Sequence, residues 1–246
     1  MWDDGVVYEA VSLFWQLCGQ TEPFPRNLER SLALALPIAL VKLPQLRLVE
    51  IEQWIGRRSA RFRFGCQSRP VYGCIVAQGG HGLLFVDGAD TPDEQRMTIA
   101  HEIGHFLADY WMPRTKAAKR FGPAILEVLD GMRPPTVTER VHAVLSSSHV
   151  GPYTSYLERG EMMEGAAIWR AEDRSDQIAL SLLAPAETVY PLLDLAAAHY
   201  SERLGGTIDV LKLHFGLPES VARTYGRLLL TSVGKGPSWL ESLHLA

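Results

Sequence analysis

"TIAHEIGHFLADYW", Thr98–Trp111, decides how the rest of the chain is read. It holds two histidines four residues apart, His101 and His105, with Glu102 directly after the first. At about 100° per residue, a helix puts those two imidazoles roughly 40° apart, on one side. Both can then reach one zinc ion, and the adjacent carboxylate projects beside the metal, where a general base belongs. A chance H-E-x-x-H arises on the order of once in a hundred chains, so context must support it. Here it does. Thr91 fits an N-cap, Pro92 the first helical position, and Glu94 completes a capping box. Met97, Ala100, Ile103, Gly104 and Leu107 form an apolar stripe, and the spacing sets both histidines at its edge, between core and cleft.

A catalytic zinc site takes three protein ligands and a water. Downstream candidates for the third ligand are Asp109, His142, His149, Glu161, Glu164, Glu172 and Asp173. On the helix predicted for "AAIWRAEDRSDQIALSLLAP", Ile168, Ser175, Ala179 and Leu182 share a face, and Glu172 falls within it. A lone carboxylate there would be desolvated without a partner, and a metal supplies the missing charge. Asp173 points away. Asp176 lies one turn on from Glu172, placed to accept the second N–H of a ligating histidine, His101 in the first instance. The expected set is therefore His101, His105 and Glu172 as ligands of one zinc ion, Glu102 as base and Asp176 as orienter.

Outward from the motif, "RFRFGC", "VYGCIVAQ" and "GLLFVDG" read as three short strands of an antiparallel meander, separated by turns at Gln67–Pro70 and Gly79–Gly82. Helices are predicted over 5–20, over Asn27–Leu40 with a break or kink at Pro37, over Val49–Gly56 and over Thr138–Leu145. Residues around "SSSHVGPYTSY" read as a loop, 186–233 as further helices with a turn at Gly205–Gly206, and the last dozen residues as a loosely attached tail. The class is α+β, mainly helical, with a short three-stranded antiparallel sheet beside the active-site helix and a C-terminal helical tail.

"QRMTIAHEIGHFLAD" followed by "EDRSDQIALSLLAP" resembles the ImmA/IrrE family of bacterial metallopeptidases, a gluzincin-type arrangement. The likeness spans roughly residues 45–111 and 166–230. Ser175, Ile178 and Ala184 depart from that family's usual Ala, Phe and Met, all mildly. The resemblance implies a minimal zincin-like domain over 1–200 and a zinc endopeptidase using His101, His105, Glu172 and Glu102. It also implies protein substrates resembling helix-turn-helix transcriptional repressors, cleaved in stress responses. The gap between the motifs is long for the family, so 112–165 reads as an insertion bordering the cleft.

The remaining expectations are weaker signals. "LKLHFGLPESVARTYGRLL", within 201–246, resembles a helix-turn-helix, but Lys212, Arg223 and Arg227 make a thin basic face, so DNA binding is not expected to lead. A metal-binding regulatory or DNA- or protein-binding module without peptidase activity is the alternative. A donor for the developing oxyanion is not singled out among Tyr110, His142, His149, Tyr153, Tyr156, His199 and Tyr200. Net charge is −4 over 246 residues, which gives no field for nucleic acid or an anionic membrane. Three cysteines without a C-x-x-C pair argue against a thiolate site or disulfide scaffold. "MWDDGVVYEA" lacks a basic signal-peptide start, and the longest apolar run is broken by Pro37 and Lys42, so a cytoplasmic location without membrane contact is expected.

Overall fold

The computed structural model describes residues 5–58, 62–140, 150–159 and 166–239, with the backbone alone for 166–171. Its elements are α1 (Gly5–Cys18), α2 (Leu28–Ala35), β1 (Ile38–Leu43), α3 (Leu48–Gly56), β2 (Val71–Gln78), β3 (His81–Asp87) and α4 (Pro92–His105). A π-helical turn, Phe106–Trp111, runs on from α4 into α5 (Met112–Phe121), followed by α6 (Ile125–Leu129) and β4 (Tyr153–Glu158). Then come α7 (Ala166–Leu183), α8 (Ala186–Val189), α9 (Tyr200–Leu213) and α10 (Glu219–Ser232). Among the described residues no helix is long and apolar enough to cross a membrane.

The α+β class stands, but the sheet differs from the expected three-stranded meander. It has four strands in the order β1-β3-β2-β4, with β1 parallel to β3 and the other pairs antiparallel. Two of the expected strands are β2 and β3. They are joined by Gly79–Gly80, both at positive φ (61° and 82°), which closes a two-residue hairpin with Gln78 opposite His81. The third expected strand is absent: Phe62–Cys66 is irregular, its alternation serving instead to pack Phe62 and Phe64 edge to face, 4.9 Å apart. The other two strands come from segments read as helix and loop. The predicted helix over Asn27–Leu40 stops at Ala35, because Pro37 cannot continue the ladder and biases the residue before it to extended backbone, so Leu36 has ψ 147°. Chain freed there pairs with β3 from Ile38. Likewise Tyr153–Glu158, read as loop, is an edge strand on β2.

That edge strand lies within 112–165, the segment expected as an insertion, and completes the sheet on its β2 side. The expected turn at Gly205–Gly206 also fails, because both glycines lie inside α9, whose buried Leu204, Thr207, Ile208 and Leu211 hold it against the core. Of the helix expected over Thr138–Leu145, residues 141–145 lie outside the described residues, as does the end of the tail.

The sheet separates two apolar clusters. On one face Val71, Cys74, Val76 and Phe85 pack with Leu48, Ile51 and Ile55 of α3. On the other, Ile75, Ala77, Leu84 and Val86 pack with α4, α7, α1 and the C-terminal helices. The α4 helix thus lies between sheet and α7. Its expected capping box forms, with Glu94 Oε2 accepting from the Thr91 N–H (3.0 Å) and hydroxyl (2.8 Å).

Candidate metal centre

Every residue of α4 from Thr98 to His105 is buried. His101, Glu102 and His105 therefore do not stand at the border of a narrow stripe, as spacing suggested. They are 1%, 0% and 2% exposed, because the sheet covers one side of α4 and α7 the other. The crossing of α4 and α7 is close: a Cβ on Gly104 would come within 3.0 Å of the Ser175 backbone. Only glycine permits that approach, and it brings Glu172, one turn before Ser175, over the two imidazoles.

There the expected ligands meet. His101 Nε2 lies 3.1 Å from Glu172 Oε2, and His105 Nε2 lies 3.4 Å from Glu172 Oε1. The two Nε2 atoms are 3.1 Å apart. One donor atom from each residue falls within 4.8 Å of the others, so His101, His105 and Glu172 could hold a metal ion. Two imidazole nitrogens and a carboxylate are a donor set that zinc takes.

Each histidine has its own carboxylate on the opposite ring nitrogen. His101 Nδ1 is 2.8 Å from Asp176 Oδ1, where Asp176 was expected. His105 Nδ1 is 2.9 Å from Asp109 Oδ2. Asp109 had been a candidate ligand; it sits behind the ring instead, within the π-helical turn. The i, i+4 spacing from His105 was the signal that could have shown this. With both Nδ1 atoms engaged, both Nε2 atoms face the same point.

Electrostatics tie the group together. Burial opposes charge on His101, but Asp176 and Glu172 outweigh it and lift its pKa to about 10. His105 is likewise raised, burial being outweighed by Asp109 and Glu172. Glu172 is desolvated, yet hydrogen bonds from both histidines bring it down to about 2. Glu102 behaves differently. Burial dominates and raises it to about 7, against the nearby His101 and His105. Neither of its oxygens makes a well-formed hydrogen bond. A buried carboxylate without such partners is costly unless it holds or awaits a proton. Room for it comes from Gly73 of β2, where a Cβ would lie 3.3 Å from Glu102 Oε1.

The other candidates fall elsewhere. Asp173 is exposed, while His142, His149, Glu161 and Glu164 lie outside the described residues. Among the oxyanion candidates, Tyr110 is fixed at the hairpin, accepting from the Gly80 N–H at 2.8 Å. Tyr156 lies on the opposite face of the sheet, with its hydroxyl 3.7 Å from Cys66 Sγ. His199 stands at the N-cap position of α9 without a side-chain capping bond and is exposed, and Tyr200 packs on the core. Tyr153 reaches the cluster but behind His105, its hydroxyl donating to Asp109 Oδ2 at 3.2 Å. The three cysteines are free, Cys74 buried and Cys66 exposed. In the C-terminal pair, α9 and α10 flank a turn at His214–Pro218, and Glu219 pairs with both Lys212 and Arg223.

Comparison of the chain with protein-family models, with curated proteins and with solved structures finds no match.

Proposed function

We propose that this protein is a zinc-dependent endopeptidase that hydrolyses a peptide bond of a protein substrate. The observation that carries the reading is a division of labour at one point in the core. Three donors converge on a metal-sized position, while a fourth group beside them, Glu102, is fully buried without a well-formed hydrogen bond. A structural metal site needs no such carboxylate, whereas hydrolysis does.

Zinc held by His101, His105 and Glu172 would supply Lewis acidity toward the scissile carbonyl and toward water. Asp176 and Asp109 keep the imidazoles in the tautomer that leaves both Nε2 atoms free to bind it. Glu102 takes a proton from the attacking water on a carboxylate oxygen and delivers it to the leaving amine.

The likeness of "HEIGH … EDRSD" to the ImmA/IrrE family favours a cytoplasmic helix-turn-helix repressor as substrate. An extended segment of it would add to an edge of the sheet, of which β4 packs against α4. The DNA-binding alternative is weakened by Glu219, which pairs with both Lys212 and Arg223 and lowers the positive charge of an already thin basic face.

The test is cleavage of an unfolded protein substrate by the zinc-loaded chain beside Glu102→Gln. Wild type should cleave, and Glu102→Gln should retain zinc and lose cleavage. Equal activity in the two proteins would remove Glu102 from the mechanism, and no cleavage by either would favour a binding module.

A further inference from the structure

We propose that Asp109, Tyr153 and Arg174 form a positioning unit for His105, locking one metal-facing ring to both the edge strand and the α7 helix. This rests on reading His101, His105 and Glu172 as metal ligands. None of the three residues touches the metal position, so each is a positioning residue.

The two ring nitrogens of His105 face different partners. Nε2 is turned to Glu172 at 3.4 Å and Nδ1 to Asp109 at 2.9 Å. A neutral imidazole carries its proton on either nitrogen, and only an acceptor at Nδ1 keeps Nε2 free for a metal. Asp109 is that acceptor, and both of its oxygens are held. Oδ2 accepts from the Tyr153 hydroxyl at 3.2 Å, and Oδ1 is paired with the Arg174 guanidinium. The Tyr153 hydroxyl also lies 3.4 Å from His105 Nδ1, on the side of the ring away from Glu172, which takes it out of reach of a developing oxyanion.

The holders come from different parts of the chain. Tyr153 opens β4, whose pairing with β2 sets Tyr153 opposite Ala77, on the sheet face that covers α4. Arg174 stands on α7, two residues after Glu172. Through Arg174 the helix that supplies the third ligand also fixes the group that orients the second. The π-helical turn carries Asp109 directly beyond His105, a backbone departure frequent at functional sites.

The two histidines are supported unequally. The Asp176 side chain is 55% exposed and that of Asp109 only 16%. A solvated carboxylate can be replaced by water at its histidine, and a buried one held on both oxygens cannot. The Asp109 side is therefore the rigid half of the centre.

Cobalt(II) titration of the full chain tests this, read by visible absorption and by chelator competition for wild type, Asp109→Asn, Tyr153→Phe, Asp176→Asn and a distant control, Glu219→Gln. Asp109→Asn should weaken binding about 10- to 100-fold and change the cobalt spectrum. Tyr153→Phe, which keeps the ring, should weaken it about fivefold, the equivalent of one ordinary hydrogen bond. Asp176→Asn should cost less than Asp109→Asn, and Glu219→Gln should cost nothing. Wild-type affinity and spectrum in Asp109→Asn and Tyr153→Phe would overturn the positioning unit while leaving the metal centre intact. So would loss of thermal stability in the metal-free variants with no change in affinity or spectrum. Failure of wild type to bind cobalt or zinc would overturn the metal reading itself, and this proposal with it.

Discussion

Gly104→Ala probes the geometry on which the centre depends. The added methyl would lie 3.0 Å from both the Ser175 Cα and its carbonyl oxygen, and 3.2 Å from its Cβ. Ordinary carbon contacts begin near 3.5 Å, so α4 and α7 must separate by about 0.5 Å. Glu172 rides on α7 one turn before Ser175, and His101 and His105 flank Gly104 on α4. Metal–ligand distances tolerate only about 0.2 Å, so the separation exceeds what the three ligands can absorb. Overpacking costs about 1–3 kcal/mol, and replacing a mid-helix glycine returns about 0.5–1 kcal/mol. The fold should therefore survive with a net loss of about 2 kcal/mol or less, while zinc affinity falls at least about tenfold. Chelator competition for zinc, paired with urea unfolding of the metal-free protein, separates the two effects. Unchanged affinity in a protein whose stability has dropped would refute the idea that this crossing sets the ligand geometry.

Further outcomes follow from the same contacts. Gly73→Ala would overlap the Thr98 methyl and crowd Glu102 Oε1 (3.3 Å), so cleavage should fall at least tenfold more than zinc affinity does, measured side by side. Arg26→Met removes a guanidinium that donates to the Leu182 carbonyl at the end of α7 and stacks 4.3 Å from the Phe24 ring, and should cost about 2–3 kcal/mol in urea unfolding. Titration with a thiol reagent should show one fast cysteine, Cys66, with Cys74 silent until unfolding because burial pushes its thiol well up. Removing zinc with a chelator should lower the thermal midpoint in wild type and leave Glu172→Ala unmoved, since only a protein that binds the ion is stabilised by it.

How far the chain could be read varied with the range of the signal. The α4 helix was legible because its cap, its period and its motif are local, and Thr91, Pro92 and Glu94 form the box their order implies. Glu172 and Asp176 were legible because helical spacing puts both on the face that carries Ser175 and Ala179, which are buried. The sheet was read poorly because two of its strands depend on distant partners. Ile38–Leu43 has no clean alternation, with Lys42 within it, and becomes a strand only through the parallel ladder to β3. Tyr153–Glu158 follows a segment rich in Gly, Ser and Pro, and its partner β2 is some 80 residues away in the sequence. Asp109 was noticed for its chemistry, as one of several candidates for the third ligand, and its place behind His105 was not drawn. The i, i+4 spacing set it beside His105, but Tyr153 and Arg174, which hold it, arrive only with the tertiary fold.

The most direct test of the account is the zinc content of the purified chain beside Glu172→Ala, both washed with a mild chelator at neutral pH. The account predicts about one zinc per wild-type chain and none retained by the variant, because His101 and His105 alone leave the ion short of its third protein ligand. Wild type that holds no zinc even after it is supplied would contradict the central claim. Equal retention by both proteins would keep H-E-x-x-H as the anchor and contradict Glu172 as the ligand that completes it.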